Sequence, residues 1–163
     1  MYKDSGLDAI MSVFIRCSEL SAVKYDVEKD IIKVEIALNN SIKPEKRSKF
    51  INKCRESMGL FYKMYKLEPT HFDLSFIENS GITIVRLYRD SQTLIEEEME
   101  LFVRLLRQEF ASLLIRDDND MVAGATLSGD EKNTLLEKIR QSHQPYQNIF
   151  AYRDEGRVFV FNQ

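Results

Sequence analysis

His71, Asp73 and Ser75 are the side-chain types of a hydrolytic triad, set at alternate positions. In a β-strand such residues share a face, but each step is roughly 6.6 Å at about 3.3 Å per residue. A triad needs hydrogen-bond contact between neighbours. The spacing therefore predicts the polar face of a half-buried strand. Arg86 and Tyr88, two apart on the expected partner strand, would share that face. His71, Asp73, Arg86 and Tyr88 form a candidate patch for an anion or a peptide edge.

Other constellations are weaker. Cys17, Cys54, His71 and His143 are scattered singly, whereas a closed zinc site draws on paired ligands at short spacing. Cys54 falls on an apolar helical stripe and reads as a small buried hydrophobe. Asp117, Asp118 and Asp120 resemble part of a calcium loop, but the glycine and closing glutamate of an EF-hand are out of place. Gly124 and Gly129 have phosphate-loop spacing, yet Asp130 and Glu131 follow where Lys and Ser or Thr are needed. Glu96, Glu97, Glu98 and Glu100 suit the N-terminal end of a helix dipole. No metal site and no cofactor are expected.

Charge is unevenly spread. The chain has 163 residues and a net charge of −3. Segment 43–66 nevertheless holds eight basic residues against Glu45 and Glu56. Lys46, Arg47, Lys49 and Lys53 form a candidate basic face for phosphate backbones, with the solvated outside of a core helix as the plainer alternative.

Periodicity supplies the elements that must position these groups. Leu7, Ile10, Phe14 and Cys17 recur at helical spacing, while Met11, Val13 and Ile15 alternate as in a strand. Asp4 or Ser5 as a cap favours helix for 5–18. Val23, Tyr25 and Val27, a turn at Glu28–Asp30, then Ile32, Val34, Ile36 and Leu38 read as a hairpin. Pro44 opens a helix over 44–66, with Phe50, Cys54, Met58, Phe61 and Tyr65 on its apolar stripe. A second hairpin runs through Phe72–Phe76 and Ile82–Tyr88 around Asn79-Ser80-Gly81. Thr93 and Glu96 match a capping box for a helix over 94–115. Residues 117–127 read as a loop, 129–142 as a helix, and 148–161 as a third hairpin turning at Asp154–Gly156.

The expected fold is α+β: an antiparallel sheet of four to six strands built from hairpins, covered mainly on one face by amphipathic helices in a repeated helix–hairpin pattern. Residues 1–163 read as one domain, with the loop 117–127 as the candidate sub-unit boundary. No long apolar run follows Met1, so the expected compartment is the cytoplasm and no membrane partner is expected. The leading functional expectation is a non-catalytic interaction or regulatory module that self-associates or binds a protein partner. Self-association would run through an edge strand or through the aromatic-rich end, Phe159 and Phe161. The alternatives are a nucleic-acid-binding module using helix 43–66, and an enzyme with a site assembled around His71, Asp73 and Arg86.

Overall fold

The computed structural model describes residues 5–115, 149–154 and 157–162. Helix α1 (Ser5–Arg16) precedes β1 (Leu20–Asp26) and β2 (Ile31–Leu38). Helix α2 (Pro44–Tyr65) leads to β3 (Phe72–Asn79) and β4 (Ile82–Asp90), and α3 (Glu96–Phe110) is followed by β5 (Ile149–Asp154) and β6 (Arg157–Asn162). The strands form one antiparallel sheet in the order β3-β4-β2-β1-β5-β6, an α+β fold. The expected loop 117–127, helix 129–142 and His143 lie outside the described residues.

Strand alternation divides the sheet into two faces. On one, Val23, Val34, Ile36, Leu74, Val85, Leu87, Ile149 and Ala151 are buried. They share a core with Phe14 of α1, Phe50, Cys54 and Met58 of α2, and Phe102 and Phe110 of α3. The rings of Phe50 and Phe110 meet edge-on with centroids 5.0 Å apart. Leu20 and Val23 are three residues apart, so strict alternation would put Leu20 on the opposite face. A register shift between Leu20 and Ala22 sets Leu20 against Ile36 and returns it to the core.

Turn chemistry fixes two of the hairpins. Ser80 and Gly81 have φ of 52° and 80°, the paired positive angles of a tight hairpin turn. Asp30, at φ 56°, closes the β1–β2 turn. Its carboxylate accepts bonds from the Tyr25 hydroxyl at 2.6 Å, from Ser91 and from Gln92 Nε2 at 3.0 Å. This residue therefore ties the first hairpin to the loop after β4.

Two local expectations are corrected. Thr93 does not cap α3: the N-cap is Ile95, in extended conformation and without a side-chain bond. Thr93 instead gives its N–H (3.1 Å) and its hydroxyl (2.6 Å) to Asp90 Oδ2, closing a turn before the helix begins. The helix also ends at Phe110 rather than residue 115. Beyond it, the backbone bonds to the C-terminal end of β2 and to Asn39 just past that strand. Asn39 donates its N–H to the Leu113 carbonyl at 2.7 Å, and Ile115 donates its N–H to the Ala37 carbonyl at 3.0 Å. Pairing with a strand competes successfully with another helical turn there. Among the described residues no helix is long and apolar enough to cross a membrane.

Candidate functional site

The second face of the sheet carries polar and aromatic side chains in rows set by the strand register. One row runs Asp73, Tyr88, Lys33, Lys24 and Phe150 across β3, β4, β2, β1 and β5. The next runs Ser75, Arg86, Glu35, Ala22, Tyr152 and Phe159. A cleft of about 470 Å³ opens on the first row. His71, Asp73, Ser75 and Tyr88 line one side of it; Lys24, Asp26, Lys29, Ile31 and Lys33 line the other.

Three of the four expected patch residues, His71, Asp73 and Tyr88, thus share a concavity. Arg86 does not line it. Its Nε donates to Glu35 Oε2 at 3.2 Å, and Lys33 Nζ meets Glu35 Oε1 at 3.3 Å. Glu35 therefore bridges two cations beside the cleft. The lysines on the β1–β2 hairpin were absent from the sequence-based patch. Their signal was the common parity of Lys24, Asp26, Lys33 and Glu35, but strand order was needed to bring β2 beside β4.

The cleft rests on a polar hub built around Asp90. Its Oδ1 accepts the Thr70 and His71 N–H groups at 3.2 and 3.3 Å, fixing the backbone that delivers His71. Arg89 also donates to Asp90. Burial pushes the Asp90 carboxyl up, but bonds from Thr93, the Arg89 charge and the backbone N–H groups outweigh it and hold it below its ordinary value. Asp30 is likewise held low, with burial opposed by bonds from Ser91, Tyr25 and Gln92.

Arg89 points away from the cleft into the core and is 1% exposed. It forks onto Glu98 of α3 through Nε (2.6 Å) and Nη2 (2.9 Å), while Nη2 also reaches Thr93 at 2.9 Å. The Tyr62 hydroxyl donates to the same Glu98 at 3.0 Å, and the guanidinium lies 5.4 Å from the Tyr62 ring centroid. Burial leaves the Glu98 carboxyl above its ordinary value despite the bonds from Arg89 and Tyr62. Glu98 is thus a buried partner joining β4, α2 and α3, and not simply one of four charges at a helix start.

The lowered carboxyls give the stability a definite pH sign. A group with a depressed folded pKa stabilises above its ordinary value, and that contribution is lost as pH falls through the folded value. The stability difference between the native chain and Asp30→Asn is therefore expected to be full near neutrality. It should shrink as pH falls below about 4, the ordinary aspartate value. Thermal denaturation of both chains between neutral and acid pH checks this; a difference that widened on acidification would contradict the sign.

On α2, two of the four basic-face residues are engaged internally. Lys46 Nζ sits 5.2 Å from the Phe110 ring centroid. Arg47 donates to the Ile42 carbonyl at 2.7 Å and to Glu78 at 3.1 Å. Lys49 and Lys53 are exposed. Cys54 is fully buried, and burial pushes its thiol up to about 12, which suits packing rather than nucleophilic work. No family model, curated protein or solved structure matches this chain.

Proposed function

We propose that this protein is a non-catalytic interaction module that self-associates by pairing β6 with β6 of a second copy. The observation that supports the reading is the strand order, which among the described residues puts β6 at one edge of the sheet. An edge strand presents a row of unpaired N–H and C=O groups, and natural sheets blunt such edges with proline, lysine or inward charge. Strand β6 reads Arg-Val-Phe-Val-Phe-Asn and uses none of these in its centre. The opposite edge, β3, carries Asp73 and Glu78, both exposed.

Side chains add to the backbone argument. Val158 and Val160 pack against the core from one face of β6. Phe159, on the other face, is 36% exposed and stacks on Tyr152 with centroids 5.2 Å apart. Two such edges in antiparallel register would continue the sheet across a two-fold axis and bring both Phe159–Tyr152 stacks together.

Light scattering across a concentration series tests this. The native chain is expected to reach twice its 19.1 kDa mass at micromolar concentration. Phe159→Lys should keep the folded circular-dichroism signature and shift the midpoint of association at least tenfold upward. A native chain that stays monomeric throughout, or a Phe159→Lys chain that associates equally well, overturns the reading.

A further inference from the structure

We propose that the cleft between the β1–β2 hairpin and β3–β4 is a binding site for a small phosphate monoester whose body carries hydroxyl groups. The argument begins from an arrangement unfavourable to the fold. Lys24 and Lys33 are direct cross-strand partners on one face, and like charges placed so are destabilising. Lys29 brings a third amine to the same cleft, on a turn fixed by its own N–H bonding to Asp26 Oδ1 at 3.1 Å. Among the described residues, Lys33 meets Glu35, whereas neither Lys24 nor Lys29 meets a carboxylate within salt-bridge distance. A local conflict of this kind, kept in an otherwise consistent sheet, marks a place where a ligand supplies the missing charge.

The missing charge is anionic and compact. A phosphate monoester carries nearly two negative charges at neutral pH and several strong acceptor oxygens. Seated between Lys24 and Lys33, it would turn their repulsion into two charge-assisted bonds. The other side of the cleft has different chemistry. Asp73, opposite Tyr88 in the register, offers carboxylate acceptors, and Ser75 and Tyr88 offer hydroxyls. Carboxylates repel a second phosphate but accept bonds from alcohols. One wall thus holds three amines with a single carboxylate, Asp26, whose Oδ1 is taken up by the Lys29 N–H, and the other holds acceptors; this favours a phosphorylated polyol or sugar over a polyphosphate or a nucleic-acid backbone. The volume, about 470 Å³, falls within the ordinary range of small-molecule sites.

This site does not depend on β6 pairing, and the test separates the two. Calorimetric titrations of the full chain would use glucose 6-phosphate, glucose and inorganic phosphate as probes. Glucose 6-phosphate is expected to bind saturably and at least tenfold tighter than inorganic phosphate, with glucose alone giving no saturable heat. Lys24→Met/Lys33→Met should weaken glucose 6-phosphate at least tenfold. That variant removes the like-charge pair, which offsets the lost Lys33–Glu35 surface pair, and Arg86 still meets Glu35; it should therefore melt no lower than the native chain, so lost binding is not lost folding. Asp73→Asn should weaken the sugar phosphate while leaving inorganic phosphate unchanged. Phe159→Lys should give the native chain's result with each of the three probes. No saturable binding of glucose 6-phosphate, equal binding by the double variant, or binding of a single-stranded RNA oligomer in place of the sugar phosphate each overturns the proposal.

Discussion

Arg89→Met is expected to destabilise the fold by about 3–5 kcal/mol, the range for breaking a buried ion pair by removing one partner. The guanidinium is 1% exposed and Glu98 fully buried, so water cannot replace the lost bonds. Methionine fills similar space but leaves Glu98 with the Tyr62 hydroxyl alone and strips Asp90 of its cation. Burial already holds the Glu98 carboxyl high, and losing Arg89 raises it further. Arg89→Met/Glu98→Gln should recover part of the loss, because the uncompensated charge is gone. Urea denaturation of the native chain and both variants measures this. If Arg89→Met cost less than about 1 kcal/mol, the surface-pair range, the buried network would not be holding β4 to α2 and α3.

Gly6→Ala is the second large effect, and its sign runs against helix propensity. In an ordinary helix interior the change gains up to about 1 kcal/mol. Here Gly6 is pressed against the turn after β4: a Cβ built on it would lie 1.8 Å from the Ser91 carbonyl oxygen and 2.7 Å from its carbon. Both are backbone atoms, and Ser91 is itself held by its N–H bond to the Asp30 carbonyl at 3.0 Å. Overpacking costs about 1–3 kcal/mol, and a backbone collision belongs at the upper end. The expected net is a loss of about 2 kcal/mol after the propensity gain is set against it. Gly59, where an added Cβ meets nothing within 4 Å, is the matched control on α2 and should be stabilised by alanine. Equal gains at both positions in thermal melts would contradict the close approach of α1 to Ser91.

The sequence carried the elements through two periodicities. The steps of three and four from Phe50 to Tyr65 predict α2 almost to the residue. The alternation from Ile32 to Leu38 predicts β2, because one face is buried and the other is not. Segment 5–18 is ambiguous in sequence because its apolar residues fit both periods; the structure resolves it as helix over Ser5–Arg16. The Thr93–Glu96 spacing misleads for a physical reason, since Asp90 lies three residues before Thr93 and competes for the same hydroxyl.

The site was half legible. Parity alone placed Asp73 with Ser75, and Arg86 with Tyr88, on shared faces. What parity could not supply was strand order, and strand order decides that β2 lies beside β4 and β1 beside β5. That arrangement adds Lys24, Lys29 and Lys33 to the cleft and hands Arg86 to Glu35. The same parity puts Arg89 in the core, where a lone arginine between Tyr88 and Asp90 gives no local sign of its partner nine residues on.

We propose that β6 is the edge through which two copies of the chain pair. Hydrogen exchange at the β6 amides tests it most directly, since alternate N–H groups point outward from an edge strand and bond only if another strand joins it. With β6 pairing, those amides should be protected at high protein concentration and should lose protection on dilution through the association midpoint. Their neighbours, bonded to β5, should stay protected throughout. Outward-pointing amides that exchange freely at every concentration, or whose protection ignores concentration, would contradict β6 pairing.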